Sequence, residues 1–208
     1  MIVAIEGPSA AGKTTWCRTA AAEFVPEYAP TGTEPDGSDP VRQAHYWTEV
    51  NRGRWSKALD LEDRVQVAVC DSDPIKLHYS WCLARVGAAP ASRFAHELTC
   101  VREAMSHKQL GFADLVLVTV PDEETLWLQK IGDPTRSRRS FELHAKLREP
   151  LIEWYQCLSR LRPDQVVWGL PLDGVGSISG TAPSPNRYDV RVLDALIREL
   201  PNSPKAAR

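Results

Sequence analysis

The apolar positions of this chain fall into short runs separated by longer segments of mixed composition. Four runs, at positions 1–5, 65–70, 115–120 and 165–170, are apolar rather than alternating, and a shorter candidate lies at 24–27. Runs of this kind are typical of strands that are buried on both faces of a parallel sheet. Because segments of helical composition separate them, the sequence predicts an α/β fold with a doubly wound parallel sheet.

Two aspartate–proline pairs predict helix starts. Asp39 precedes Pro40, and this order combines a side chain that caps the first turn with a ring that fits its first position. The pair predicts a helix from position 40 to about 59. Asp73 precedes Pro74 in the same way, so a second helix is predicted from Pro74 with Asp73 as its cap.

Weaker signals predict further helices. One helix is predicted to begin near Ser92, and acidic residues at 122–124 favour the first turn of another, since carboxylates are favourable near the positive end of a helix. A long helical pattern covers 140–160. Pro150 lies inside it and is expected to kink or divide that helix.

The carboxyl-terminal part of the chain carries more loop signals. Residues 171–186 are rich in glycine, proline and serine and are predicted to form a mobile loop. Asp189 is expected to cap a last helix that Pro201 ends, and positions 201–208 are expected to fray as a disordered tail. A chain of 208 residues suits one domain, which we place at 1–200.

Composition narrows the class of partner. The net charge of −2 and the isoelectric point near 6.2 provide no basic field for nucleic acid. No apolar run approaches the ~20 residues of a membrane span. The first residues already read as a strand, so no cleavable signal is expected. The five cysteines include no C-x-x-C pair and are predicted to be reduced thiols without a zinc site, as in a cytoplasmic protein.

The strongest motif lies at residues 7–14, which read GPSAAGKT and match the phosphate-binding pattern G-x-x-x-x-G-K-[ST]. An apolar run precedes it and a helical segment follows, which is the context that the motif requires. Backbone N–H groups of such a loop cradle phosphates, a lysine neutralises them and a hydroxyl ligates Mg²⁺. The predicted nucleotide-binding residues are Gly7, Ser9, Ala10, Ala11, Gly12, Lys13, Thr14 and Thr15.

Carboxylates follow two predicted strands. Asp71 comes directly after the run 65–70, at the strand end that faces a nucleotide in sheets of this type. It is a candidate Mg²⁺ ligand together with Thr14, or a candidate base. Glu27 ends the run 24–27 and is a candidate base for a second substrate, with a solvated loop glutamate as the alternative. Asp73 is also a candidate substrate-binding residue.

A basic segment follows the fourth predicted strand. Arg136, Arg138 and Arg139 lie between a Gly-Asp-Pro break and the next helical segment. Arginine forks match phosphoryl oxygens and stabilise transition-state charge. We therefore predict a catalytic lid at about 132–140, with a solvated basic turn as the alternative.

Aromatic and basic residues cluster on the helix predicted from Pro40. The cluster consists of His45, Tyr46, Trp47, Arg52, Arg54 and Trp55. Any one aromatic residue at helical spacing is more often part of the core. Together they favour a wall for a flat or sugar-like substrate, and Tyr46, Arg52 and Trp55 are the predicted substrate contacts.

With these motifs in this order, the chain resembles the thymidylate-kinase-like and deoxynucleoside-kinase-like group of P-loop kinases over most of residues 1–170. Residues 25–28, VPEY, also resemble the corresponding segment of ribosylnicotinamide kinases. The resemblance implies a five-stranded parallel sheet with helices on both faces, Glu27 near the acceptor hydroxyl and an arginine lid. One departure from the family is Ser72, because the family carries an arginine directly after the acid that corresponds to Asp71. Arg52 or Lys76 are candidates to replace it.

The predicted function is a kinase that transfers the γ-phosphoryl group of ATP, with Mg²⁺, to a hydroxyl of a nucleoside-like or amino-sugar-like metabolite. A nucleoside monophosphate kinase is one alternative, and a P-loop ATPase or GTPase switch without an acceptor is another. The N-K-x-D tetrad of a GTPase does not occur in the sequence. The expected partner is a small molecule rather than nucleic acid or membrane, and a homodimer is left open.

Overall fold

The computed structural model describes residues 1–131, 141–178, 184 and 186–201. Its strands are β1 (Ile2–Glu6), β2 (Phe24–Val25), β3 (Ala68–Asp71), β4 (Leu115–Val118) and β5 (Val166–Trp168). Its helices are α1 (Lys13–Ala20), α2 (Pro40–Glu62), α3 (Leu77–Arg85), α4 (Ala91–Ser106), α5 (Glu123–Ile131), α6 (Phe141–Lys146), α7 (Arg148–Leu161) and α8 (Val190–Glu199). Two short 3₁₀ helices lie at Pro163–Gln165 and Gly174–Ile178.

The five strands form one parallel sheet in the order β2-β3-β1-β4-β5, which confirms the predicted fold class. The chain places β2 and β3 on one side of β1, and β4 and β5 on the other. The order therefore reverses at β1, and ligands bind parallel sheets at such a reversal, beyond the carboxyl ends of the strands. Ile5 pairs with Asp71, and Glu6 pairs with Val118, so β1, β3 and β4 end at the same edge.

Strand limits differ from the apolar runs because pairing, rather than hydrophobicity, defines a strand. The predicted run 65–70 begins before its strand, and Val65 is exposed in a turn. At the other end, β3 continues into Asp71 and β1 into Glu6, although both are carboxylates. Both residues pair with neighbouring strands, so acidic side chains extend the sheet to the edge where the predicted ligand lies.

The helix predicted at Pro40 begins there, and the Asp39 carboxylate accepts hydrogen bonds from the backbone N–H groups of Val41 and Arg42. The prediction for Asp73 and Pro74 is wrong in its start, because α3 begins at Leu77. The Asp73 carboxylate instead accepts from the Ile75 N–H in the turn before the helix.

The long pattern at 140–160 divides into α6 and α7, as predicted, but the break lies at Leu147 rather than at Pro150. A proline ring clashes with the carbonyl four residues earlier, which here belongs to Lys146, the last residue of α6. Pro150 itself lies in the first turn of α7, where its missing N–H costs little.

The hydrophobic core lies on both faces of the sheet. The larger part packs helices α2, α3, α4, α7 and α8 against one face and includes Trp55, Trp81 and Trp154. The smaller part packs α1 and the segment Gly174–Ile178 against the other face. The segment predicted as a mobile loop therefore includes a helical turn whose Ile178 is buried. Within the described residues no helix is long and apolar enough to cross a membrane.

Candidate active site

The predicted phosphate loop connects β1 to α1. It follows β1, the strand at which the strand order reverses. Gly12 adopts φ 79°, and Ala10 adopts φ 73°, so the loop turns through the left-handed region twice before the helix begins. α1 starts at Lys13 without a side-chain cap, and the first N–H groups of a helix have no acceptor within the helix itself. This arrangement suits an anion, which the positive end of the helix also stabilises.

Gly7 and Gly12 are glycines for different reasons. A Cβ atom on Gly7 would lie 2.1 Å from the Thr119 carbonyl oxygen, whereas a Cβ on Gly12 would meet nothing within 4 Å. We expect Gly7→Ala to lower the free energy of unfolding by about 3 kcal/mol or more, because backbone must shift to accommodate it. Gly12→Ala is expected to cost about 1–2 kcal/mol, the penalty of left-handed backbone alone.

Urea unfolding followed by circular dichroism measures both changes. Gly53→Ala on the exposed face of α2 is the control, since this glycine has no such contact and no left-handed φ. It is expected to leave stability unchanged or raise it. Equal losses for Gly7→Ala and Gly12→Ala would contradict the steric account.

Lys13 is buried in the loop. Its ammonium group donates to the backbone carbonyls of Gly7 at 2.6 Å and Pro8 at 3.0 Å. Carbonyl oxygens are weaker partners for an ammonium group than phosphate oxygens are, since only the latter carry charge. The lysine is therefore held in place and able to exchange these partners for a phosphate.

Thr14 and Asp71 meet across the sheet edge. The Thr14 hydroxyl donates to Asp71 Oδ2 at 2.6 Å, while the buried Oδ1 has no hydrogen-bond partner among the described residues. Burial raises the pKa of Asp71, with the Thr14 hydrogen bond opposing the rise and the Glu27 charge adding to it. A carboxylate in this state gains from a cation nearby.

A hydroxyl and a carboxylate are oxygen donors of the kind that Mg²⁺ prefers, and the unpartnered Asp71 oxygen fits such an ion. The described residues contain no group of three or more histidine, cysteine, aspartate or glutamate side chains placed to hold a metal. Mg²⁺ in nucleotide sites relies on one or two side chains plus phosphates and water, so the pair fits that use.

Glu27 lies at the same edge, two residues beyond β2. Its Oε1 accepts from the Lys76 ammonium at 3.2 Å, and its side chain is 45% exposed. Burial raises the pKa of Glu27, but the charges of Lys76 and Lys13 outweigh it and leave the pKa below its ordinary value. Glu27 is thus an ionised carboxylate beside the phosphate loop.

Glu6 is a site residue that the sequence analysis missed. Its side chain is fully buried at the end of β1, where Oε1 accepts from the Gly7 N–H and Oε2 from the Asp73 N–H, both at 3.0 Å. His78 Nε2 lies 3.3 Å from the same Oε2, and Lys76 Nζ lies 3.6 Å away. Burial opposes ionisation of Glu6, yet these neighbours hold its pKa well below the ordinary value.

The signal for Glu6 was present in the sequence. A carboxylate stands directly between an apolar strand and the first glycine of the phosphate loop. Buried carboxylates occur only with partners, so such a residue predicts cations or N–H donors around it. His78 had no comparable signal, because its place beside Glu6 depends on how α3 packs.

Arg54 ties the strand ends together. Its guanidinium donates to the carbonyls of Asp71 and Ser72 at 2.8 Å and of Pro26 at 3.2 Å. The side chain is buried, so these donors are used within the protein. Arg54 therefore holds the residues after β2 and β3 together and has little left for a ligand.

A cavity of about 250 Å³ opens from the phosphate loop toward α4. Ser9, Lys13, Glu27 and Lys76 line it, and Arg93 and Glu97 of α4 form an ion pair at 2.9 Å on its wall. Its aromatic walls are Tyr28, Trp47 and Tyr79. The buried Trp47 indole N–H has no hydrogen-bond partner among the described residues.

The structure brings only part of the predicted substrate set to this cavity. Tyr46 lies behind Tyr28, with the two hydroxyls 2.7 Å apart, and Arg52 pairs with Glu49 on the helix surface. Neither Tyr46 nor Arg52 lines the cavity.

Trp55 and Asp73 also lie away from the cavity. Trp55 is buried in the core against Tyr188, on the side of α2 that packs against the sheet. Asp73 is buried and accepts from the Tyr155 hydroxyl at 3.0 Å, so its role in the structure is to join two elements.

The predicted nucleotide-binding residues lie within the described part of the chain, whereas the predicted lid arginines do not. Ala11 packs against Leu126 and Phe141, and Thr15 lies exposed in the first turn of α1. The predicted lid residues Arg136, Arg138 and Arg139 lie outside the described residues.

No family model and no curated protein sequence match this chain. Solved structures match it in fold. A deoxyadenosine kinase from M. mycoides, with products dCMP and a flexible dCDP bound, is 14% identical with a TM-score of 0.54, and the match covers 81% of this chain and 89% of that one. The chain has the fold of a P-loop kinase.

Two further structures support this assignment. The same M. mycoides kinase with bound dCTP is 13% identical with a TM-score of 0.56, over 81% of this chain and 89% of that one. The NadR protein in complex with NR is 18% identical with a TM-score of 0.50, over 100% of this chain and 54% of that one. The predicted resemblance to deoxynucleoside and ribosylnicotinamide kinases is confirmed in the P-loop kinase fold.

Proposed function

We propose that the protein is a kinase that transfers the γ-phosphoryl group of ATP to a hydroxyl of a small molecule. The observation that carries this proposal is that Lys13 of the phosphate loop and the ionised carboxylate of Glu27 line the same cavity. A kinase needs a phosphate site and a proton acceptor that face one another across the second substrate. A switch or motor needs only the first of these.

Each group has a role in this proposal. Lys13 binds the β- and γ-phosphates of ATP, together with backbone N–H groups of the loop. Thr14 and Asp71 would hold Mg²⁺, which supplies charge neutralisation of the phosphates when bound. Glu27 accepts the proton of the acceptor hydroxyl. The hydroxyl oxygen bonds to the γ-phosphorus, and the bond between this phosphorus and the ADP oxygen breaks. Transfer of this kind depends mainly on positioning and electrostatics.

We further propose that the acceptor is unphosphorylated. Among the described residues, every lysine and arginine that lines the cavity already has an oxygen partner. Lys13 donates to backbone carbonyls and is assigned to the phosphates of ATP, Arg54 donates to backbone carbonyls, Lys76 binds Glu27, and Arg93 binds Glu97. A phosphate on the acceptor would have to break one of these contacts and lie close to acidic side chains.

The walls favour a flat or sugar-like acceptor. Tyr28 and Trp47 meet edge to face at 5.3 Å, which makes a rigid aromatic surface on one side of the cavity. A nucleoside or an aminated sugar presents an apolar face to such a surface and hydroxyl groups to Glu27. Both classes remain in the proposal.

Matched acceptors with and without a phosphate test this proposal. We expect nucleosides or amino sugars to stimulate ADP release, with kcat/KM at least about tenfold higher than for the corresponding monophosphates, because each lysine and arginine that lines the cavity in the described part of the chain already has an oxygen partner. A coupled ADP assay over matched pairs measures it, with ATP alone as the control. A monophosphate that proves the best substrate would identify a nucleotide kinase, and equal ADP release without any acceptor would identify an ATPase.

A further inference from the structure

Lys76 occupies an unusual place in the chain. It is the last residue before α3 and adopts φ 48°, while Ser72, four residues earlier, adopts φ 81°. Non-glycine residues rarely adopt this left-handed backbone, and two of them in one turn persist only where surrounding contacts hold them. The turn directs the Lys76 side chain back toward the strand ends and into the cavity.

The ammonium group of Lys76 contacts three oxygens there. It donates to the Ser72 hydroxyl at 2.7 Å and to Glu27 Oε1 at 3.2 Å, and it lies 3.6 Å from Glu6 Oε2. Glu6 already has two N–H donors and a histidine beside it. Glu27 has no other hydrogen-bond donor among the described residues, so it depends on Lys76 much more than Glu6 does.

Charged and titratable groups face Glu27 from several elements. Lys13 in the phosphate loop and Lys76 favour its charged form, and Glu6 opposes it. Asp71 of β3 is a further like charge that interacts with Glu27. Tyr79 of α3 and His144 of α6 lie close enough to interact with both Glu27 and Lys76, and burial lowers the pKa of His144.

We propose that Lys76 is the positioning residue of this site: its ammonium group holds Glu27 Oε1 and leaves Oε2 to accept the proton of the acceptor hydroxyl. This inference rests on the proposed role of Glu27 as the base. The Ser72 hydroxyl supports this role by accepting a hydrogen bond from the Lys76 ammonium group, which fixes the Lys76 side chain. The lysine reaches the site from a helix start, whereas the resembled kinases carry an arginine at position 72.

Removal of the Lys76 ammonium group is expected to change the pH dependence of kcat/KM. Without Lys76, only Lys13 opposes burial and the like charges of Glu6 and Asp71, so the Glu27 pKa rises above its wild-type value. The base must be ionised to act, so the acid limb of kcat/KM moves to higher pH by the same amount. Activity is therefore lost mainly at low pH and recovers as the pH rises through the new pKa.

The experiment measures the Glu27 pKa directly and through turnover. Protein labelled with ¹³C at the glutamate side-chain carboxyl is titrated by NMR without ligands, and the Glu27 signal is assigned by its loss in Glu27→Gln. We expect the Glu27 pKa to be higher in Lys76→Met than in the wild type, and to remain at the lowered wild-type value in Lys76→Arg. The acid limb of the kcat/KM profile should shift in Lys76→Met by the same amount as the Glu27 pKa. It should stay at its wild-type position in Lys76→Arg.

Two further variants keep the test decisive. His144→Gln, alone and combined with Lys76→Met, removes the imidazole as a source of the shift, and the shift should persist. Lys76→Gln replaces Lys76→Met if the latter does not fold, as judged by circular dichroism. An unchanged Glu27 pKa with an equal loss of kcat/KM at every pH would overturn the inference. Glu27→Gln with wild-type turnover would instead overturn the proposed base.

Discussion

Replacement of Lys13 by alanine is expected to lower phosphoryl transfer by about 10²-fold or more and to leave the fold intact. Lys13 is the one side-chain cation that the phosphate-loop motif itself contains, and its ammonium group is buried within the loop. In a site that excludes water, loss of a charge-assisted contact to the transferring group costs several kcal/mol of barrier. In the free protein Lys13 contacts two backbone carbonyls, which water can satisfy after the substitution.

The rate of ADP formation at saturating ATP and acceptor measures this effect, and thermal unfolding checks the fold. Lys57→Ala is the matched control, because Lys57 is exposed on α2 and lies outside the cavity. It should leave both turnover and stability unchanged. Turnover of folded Lys13→Ala within a few-fold of the wild type would contradict the role of the loop.

The second large effect is expected for Glu27→Gln. The amide keeps the shape of the carboxylate but cannot accept the hydroxyl proton, so kcat should fall by about 10²–10⁴-fold. ATP affinity should change little, because in the proposed mechanism Glu27 contacts the acceptor hydroxyl and not the phosphates of ATP. Single-turnover kinetics and ATP titration separate the two quantities.

Asp71→Asn is the comparison that assigns the roles of the two carboxylates. Its partner in the structure is the Thr14 hydroxyl, and we propose that the pair holds Mg²⁺. We therefore expect Asp71→Asn to raise the Mg²⁺ concentration needed for half-maximal rate and Glu27→Gln to leave it unchanged. The opposite result, a metal shift in Glu27→Gln alone, would exchange the two assignments.

Local features of the chain could be predicted from the sequence because they depend only on neighbouring residues. The phosphate loop requires two glycines, a lysine and a hydroxyl within eight positions, and the backbone that they produce is present at Gly12 and Ala10. The Asp39 cap of α2 also depends on neighbours only, and it is present. Asp73 shows the limit of such rules. The same Asp-Pro pattern fails there because burial against Tyr155 and Glu6 holds its turn in another conformation.

Helix faces could not be assigned from composition. Trp47 and Trp55 both lie on α2, yet Trp47 lines the cavity and Trp55 is buried in the core. Both are aromatic residues at helical spacing, and hydrophobicity alone does not distinguish a ligand-facing side chain from a core side chain. The packing of α2 against the sheet decides which of them a substrate can reach.

The sequence by itself determined the fold class and the phosphate loop, since apolar runs and a contiguous motif carry that information. The tertiary structure decided which charged side chains meet beside the phosphate loop. Glu6, Glu27 and Lys76 come from the end of β1, the segment after β2 and the start of α3, and Glu27 and Lys76 are separated by 49 positions. They meet because β3 inserts between β1 and β2, which brings three strand ends to one edge. Burial at that edge then makes each charge depend on the others.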